Sequence, residues 1–498
     1  NLDQSTSLQY SFNGQKKSVY FGYSDRDNLP EYVHYGNNSA NQVTNTYDNL
    51  TRLSGKTYKA TGTNGTNVTV NYEYHDWSSV ENRTTGIVRN IKYNYNGAGS
   101  ANAPLDNRSY SYDRAGNITA ERKLNSDNTT TLLERYTYDG KNQLVRHDSA
   151  TQNKTFVYEY NAAGNITQRK EYAYTTSSNP SNAINTVEYG YDEGTWRDLL
   201  TSYDGTDIEY DTIGNPTSYR GWSMTWDGRR LATASKGTNS LSYTYNADGI
   251  RTSKTVNGTK TEYLLNGTQI LAQKTGSSIV CFFYDSQGNR VGLADASNHV
   301  YYYIYNLQGD VIAIADAVTG GIVGTYSYDA WGKCTVGAGS SNIATLNPFR
   351  YRGYYFDSDT GLYYLNSRYY DAETGRFINV DGFITTNIAN PLSANMFAYC
   401  ENNPVNGSDP TGCGGIGLMS DWNPQEYFHS NTRETHCDDI YIKALFYSTE
   451  ISIGVGMGTK ASVDIGDCEV NAGYAHNVAE VYLEDGKILG VGTHNELI

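Results

Sequence analysis

The chain has 498 residues, a formal net charge of −15 and 38% hydrophobic residues, with 47 Tyr and 49 Gly against 12 Phe, 4 Met and 9 Pro. The acidic balance excludes nucleic acid as a partner of the repeat region, because phosphate contacts need clustered Lys and Arg. No apolar run is long enough to span a bilayer, and Tyr and Thr with frequent Gly and Asn favour short strands joined by tight turns.

The chain opens at Asn1 inside a β-like pattern, so it reads as a fragment whose earlier repeats and export signal lie elsewhere. From there to about residue 345 one motif recurs. Tyr47-Asp48-Asn-Leu-Thr-Arg52-Leu53 is an early copy. Tyr110-Ser-Tyr112-Asp113-Arg-Ala-Gly116-Asn117-Ile118-Thr119 returns as Tyr158-Glu-Tyr160-Asn161-Ala-Ala-Gly164-Asn165-Ile166-Thr167. Looser copies begin at Tyr136, Glu209, Tyr243, Phe283, Tyr303 and Tyr326. Tyr-x-Tyr places two rings on one face of a strand. Asp or Asn then opens a turn by accepting backbone amides, and Gly three residues on supplies a positive φ. Each copy therefore predicts one hairpin of about twenty residues. A lone hairpin cannot bury its apolar face, but stacked hairpins can. The expectation is one long, curling antiparallel sheet with ladders of tyrosines and no helix up to residue 345. The rings read as scaffold, with stacking on sugars as the alternative use. The Asn-x-Thr sequons fall on the turn motif and are explained by it.

Residues 346–412 change character. Tyr351, Tyr354, Tyr355, Tyr363, Tyr364, Tyr369 and Tyr370 crowd one short stretch. Fixed spacings join Asn347-Pro-Phe-Arg350-Tyr-Arg352-Gly353, Thr360-Gly361-Leu-Tyr363-Tyr364, Arg368-Tyr369-Tyr370-Asp371 and Gly375-Arg376-Phe377. Asn402-Asn403-Pro404-Val405 and Asp409-Pro410-Thr411-Gly412 close the segment. With the repeats before it, residues 40–412 resemble the RHS/YD-repeat family and its repeat-associated core.

That resemblance implies a secreted or surface protein of bacteria, with teneurins as animal relatives. It implies a hollow β-shell, a core that plugs one end, and a variable C-terminal cargo, often a toxin. Some relatives cut themselves after a DPxGL motif with an aspartyl-type site. Asp381 matches the first acid of that site, and Asp409 opens the DPxG turn. Val380 stands where Arg is common, residues 382–404 hold no Asp, and Cys413 replaces the Leu. Gly412 and Cys413 mark the expected boundary if cutting occurs. Asp381 and Asp409 also suit plain turns.

The tail, 413–498, holds thirteen acids against four bases, a net of −9. Asp421 to His429 reads as a short helix. Ile451–Met457 and Ala461–Ile465 read as strands, and Val481–Leu489 as a hairpin around Asp485-Gly486. His436 and Asp439, with Cys437, Asp438, His429 and His476 nearby, are the candidate catalytic or metal-binding residues of the tail. Plain solvated side chains explain them as well. The final stretch is similar in wording to the end of transporter-type ATPase domains, but no G-x-x-x-x-G-K-[ST] loop exists to hold phosphate. The six cysteines form no C-x-x-C pair, which points away from structural zinc. They read as buried thiols, with a disulfide among Cys413, Cys437 and Cys468 as the alternative.

The sequence thus predicts an all-β chain in three parts: repeats over 1–345, a plug-like core over 346–412, and a small, mostly β tail over 413–498. The expected function is a partial shell that encloses and delivers the tail between competing bacteria. An adhesion or carbohydrate-binding protein, and a self-cleaving or catalytic chain, are the rival readings. An immunity protein for the tail and a surface glycan are the expected partners; no cofactor or metal is expected.

Overall fold

A computed structural model gives the architecture. It describes residues 4–413 apart from 26–27, 37–38, 77–83, 96–104, 193, 195 and 383–390, together with the backbone of four later strands within 460–494. The chain forms two compact units, Asn1–Thr432 and Arg433–Ile498.

Among the described residues the first unit is almost wholly β. A sixteen-stranded antiparallel sheet runs from Ser7–Phe12 to Thr206–Asp207, and a fourteen-stranded one from Glu209–Tyr210 to Cys334–Val336. Every strand pairs with its neighbours in chain order, and neither sheet closes into a barrel. A short helix, Asn342–Leu346, ends the repeats where no helix was expected.

The repeat works as its chemistry demands, with one feature beyond it. Asp113 Oδ1 accepts the amides of Ala115 and Asn117 at 2.9 Å, Oδ2 accepts Asn117 Nδ2 at 3.0 Å, and Gly116 has φ +86°. In the copy at Asp139 the left-handed position is held by Asn142, φ +63°. The first ring of each pair (Tyr110, Tyr136, Tyr158, Tyr243, Tyr303, Tyr326) is buried. The second ring is half-buried, and its hydroxyl does not wait for water. Tyr112, Tyr138, Tyr160, Tyr245, Tyr305 and Tyr328 donate to the carbonyls of Val88, Ile118, Leu144, Leu231, Arg290 and Val311 at 2.6–2.9 Å. Each acceptor lies on the preceding strand, so every second tyrosine ties its hairpin to the one before. Trp226 takes the same place with its indole N–H, 2.7 Å from the Pro216 carbonyl. Replacing Tyr138 by Phe removes the bond to Ile118 and another, 2.9 Å, from Asn406 Nδ2. It is expected to cost about 1–3 kcal/mol, measured as a lowered urea midpoint.

The two sheets pack face to face. Tyr35 stacks on Phe283 with centroids 5.0 Å apart, and Tyr58 meets Tyr302 at 5.7 Å. Amides of Thr61, Gly62 and Thr66 donate to carbonyls of Ala317, Val318 and Thr319 at 2.8–3.0 Å. Further along, the core segment enters between the sheets. It adds a four-stranded sheet, Tyr355–Asp357, Leu362–Leu365, Arg368–Asp371 and Arg376–Phe377. Asn402 and Asn403 bond to Gln143, Gly164 and Asn117 of the first sheet at 2.6–2.9 Å. Arg251, Tyr263 and Tyr303 of the second sheet bond to Asp357, Tyr355 and Asn347 at 2.6–3.2 Å. The segment is a plug held from both sides.

In the second unit, Lys460–Ile465 pairs with Cys468–Tyr474, and Val478–Glu484 with Lys487–His494. The expected strand at 461–465 and the hairpin over 481–489 are therefore present. The expected helix at 421–429 and strand at 451–457 lie outside the described residues.

Candidate functional site

The core motif residues fall into two groups. One group is scaffold. Arg350 lies over the Phe356 ring at 4.5 Å. Arg352 donates to the carbonyls of Gln308, Pro404 and Val405. Gly353, Gly361 and Gly375 all have positive φ, and a Cβ on Gly375 would sit 2.8 Å from the Trp331 ring. Tyr363 and Tyr370 donate to the carbonyls of Gly332 and Trp331 at 2.9 and 2.7 Å. Tyr364 accepts the Arg251 amide at 2.9 Å, and the hydroxyls of Tyr369 and Tyr245 meet at 3.0 Å. Arg376 bonds to Asn165 Oδ1 and the Asp198 carbonyl, both at 3.0 Å.

The other group converges on the point where the core ends. Arg368 projects from its strand with Phe377 beneath it, guanidinium carbon 3.5 Å from the ring centroid. Its Nη2 lies 2.9 Å from Asp381 Oδ2 and 3.0 Å from Asp409 Oδ2. Its Nη1 donates to the Met396 carbonyl at 3.1 Å, and its Nε to the Gly412 carbonyl. Ser367 Oγ donates to that same carbonyl at 2.6 Å. Thus the two acids singled out in the sequence, far apart along the chain, share one guanidinium nitrogen beside the expected boundary.

Local chemistry explains the turn. Asp409 Oδ1 accepts the Gly412 amide at 2.8 Å, and the Asp409 amide donates to Tyr354 Oη at 2.7 Å. Gly412 has φ +70°, and a Cβ there would collide with the Leu365 carbonyl. Only glycine fits. A Gly412→Ala chain is expected to lose about 1–3 kcal/mol and to gain protease sensitivity around residue 412. The boundary residue Cys413 is disulfide-bonded, and its Sγ is 3.0 Å from Ser367 Oγ. Cys281, Cys334 and Cys400 are free thiols. The side chains of Cys437 and Cys468, like His436 and Asp439, lie outside the described residues.

Sequence reasoning missed Ser367, whose role comes only from its place in the turn between Leu365 and Arg368. It also missed Arg251 and Lys254, which bind Asp357 at 2.6 and 2.9 Å. Burial pushes the Asp357 carboxyl up, and the two cations outweigh that and hold it below the usual carboxylate range. Among the described residues no group of three His, Cys, Asp or Glu side chains is placed to hold a metal, and no helix is long and apolar enough to cross a membrane.

Residues 266–405 match the Teneurin YD-shell family model. The chain is 32% identical over 288 residues to the tRNA nuclease WapA of Bacillus subtilis (strain 168), covering 55% of this chain and 12% of that protein. It is 28% identical over 339 residues to the double-stranded DNA deaminase toxin A of Burkholderia cenocepacia (strain H111), covering 57% and 22%. The chain therefore spans only a small part of these relatives. Among solved structures, the TcdB2-TccC3 complex superposes with a TM-score of 0.53 at 19% identity, over 82% of this chain and 23% of that one. The Photorhabdus luminescens Tc holotoxin pore superposes at 0.55 and 18%, over 83% and 23%.

Proposed function

We propose that this chain, which belongs to the RHS/YD-repeat family, is the closing part of a β-shell that isolates the segment after Gly412 and delivers it to competing cells. The observation that carries this reading is the plug. The core is clasped by both sheets, and its last residues are pinned by Ser367, Arg368 and Asp409, so the chain leaves the wall at one fixed place. The relatives that share the repeats include a tRNA nuclease and a DNA deaminase toxin by name, which supports a toxic tail here without fixing its chemistry. Export to the medium or the cell surface follows from delivery, as does a small immunity protein that neutralises the tail in the producer. The first tyrosine of each repeat pair buries its ring and the second donates its hydroxyl to a backbone carbonyl, which favours scaffold over a sugar-binding row.

Expression in bacteria tests this. Residues 413–498 alone are expected to stop growth, and His436→Ala with Asp439→Ala to relieve the effect. The same tail within the full chain is expected to be less toxic. Normal growth with the folded wild-type tail would remove the toxin reading.

A second reading is self-cleavage after Gly412 or Cys413, with Asp381 and Asp409 as its acids. It is favoured by the two carboxylates and the Gly412 carbonyl meeting on one guanidinium. Mass spectrometry of the purified, reduced chain is expected to show two species, and Asp381→Asn a single one near 55.2 kDa.

A further inference from the structure

Arg350 is stacked but not neutralised. It is 6% exposed, with its guanidinium carbon 4.5 Å from the centre of the Phe356 ring and 5.5 Å from that of Tyr326. Those rings account for its packing and leave its charge unexplained. Its Nε has no hydrogen-bond partner, and no carboxylate among the described residues lies within ion-pair distance. The nearest polar side-chain contact is the Cys334 sulfur, 4.0 Å from Nη1. Burial pushes that thiol up to about 11, so it stays neutral at pH 7 and supplies no counter-charge. Arginine cannot shed its proton, and a buried cation without an anion is costly.

That charge borders a cavity of about 820 Å³, a size that suits a small molecule. Gln273 and Tyr301 line it from the second sheet, Arg350 and Phe356 from the plug, with the exposed Asn342 and Ser358 beside them. Gln273 Oε1 accepts Tyr355 Oη at 2.9 Å, which leaves its Nε2 as a donor. The other charges on the cavity are already matched. Lys254 Nζ is held by Asp357 at 2.9 Å and Asp359 at 2.7 Å. Asp295 Oδ1 accepts the amides of Ser297 and His299, each at 2.9 Å. We infer that this cavity binds a small hydroxylated molecule carrying one carboxylate, with the carboxylate on the Arg350 guanidinium. The planar fork of arginine matches a carboxylate. One free positive charge calls for one negative charge. A phosphate monoester would bring a second, against Asp295, Asp357 and Asp359. The rings of Tyr301 and Phe356 suit the apolar face of a carbon skeleton, and Gln273, Asn342 and Ser358 suit its hydroxyls. A molecule bound there touches sheet and plug together, so occupancy strengthens the seat of the plug.

The test is isothermal titration calorimetry on the full chain with three probes of similar size: glucuronate, glucose and glucose 6-phosphate. Glucuronate is expected to bind saturably at one site and to raise the urea midpoint, glucose to give no saturable heat, and glucose 6-phosphate to bind more weakly than glucuronate. Arg350→Gln is expected to weaken glucuronate binding roughly 10- to 10²-fold. Asn342→Asp changes an exposed side chain and sets a second negative charge beside the cavity. It is expected to keep the ligand-free urea midpoint of the wild type and to bind glucuronate more weakly, so it decides the matter if Arg350→Gln does not fold. Absence of saturable heat with glucuronate at millimolar concentrations overturns the site. Unchanged affinity in Arg350→Gln, or in Asn342→Asp where the first variant does not fold, overturns its placement on Arg350. Equal or tighter binding of glucose 6-phosphate overturns the choice of a single carboxylate, and equal binding of glucose overturns the role of charge.

Discussion

Asp357→Asn is expected to lower stability by about 3–5 kcal/mol at neutral pH, read as a fall in the urea midpoint. Asp357 joins the plug to the second sheet. Its carboxylate takes Arg251 Nη1 at 2.6 Å and Lys254 Nζ at 2.9 Å, and the side chains of Asp357 and Arg251 are both fully buried. Arg251 also lies over the rings of Tyr364 and Tyr355, at 4.2 and 5.0 Å. An amide in place of the carboxylate leaves the buried Arg251 without its anion and Lys254 with Asp359 alone, at 2.7 Å, and that uncompensated desolvation of Arg251 is the source of the loss. The pH dependence has a definite sign. Because the folded carboxyl sits below its ordinary value, the pair stabilises fully above the unfolded value of about 4. Its contribution is lost as pH falls through the lower folded value. The gap between wild type and Asp357→Asn should therefore be widest at neutral pH and close in acid. A constant gap across that range would mean the aspartate acts by packing alone. Replacing Arg251 and Asp357 together with Met and Leu should cost less than either charge removed singly.

This pair also shows where sequence stopped being informative. The hairpins were legible because their determinants are local: Tyr112, Asp113, Gly116 and Asn117 settle one turn among themselves. The tie from Tyr138 to Ile118 was half legible, since the motif announces a tyrosine that needs a polar partner but not which one. The pairing of Arg251 with Asp357 was not legible. Arg251 follows an ordinary repeat turn, and only the entry of the plug between the sheets brings it to a carboxylate over a hundred residues away. At the boundary, the resemblance pointed to Asp381, Asp409 and Gly412, whereas Ser367 and the role of Arg368 as their common partner needed the fold.

Arg368→Ala is expected to have an effect of similar size, about 3–5 kcal/mol, concentrated where the chain leaves the plug. The side chains of Asp381 and Asp409 are 10% and 2% exposed, and both rest on Arg368 Nη2. Removing the guanidinium leaves two buried carboxylates facing each other's charge, and takes one donor from the Gly412 carbonyl. Lysine keeps the charge, but a single ammonium cannot reach the Met396 carbonyl, the Gly412 carbonyl and both carboxylates together, so Arg368→Lys should recover only part of the loss. Adding Asp381→Asn to Arg368→Ala should recover stability by removing one of the two facing charges. Limited proteolysis separates this local account from general unfolding: the first new cut in Arg368→Ala should fall near residues 409–413, with the repeat hairpins still protected. Early cuts spread through the repeats would show instead that Arg368 supports the whole plug, and the fixed exit of the chain would then need another anchor.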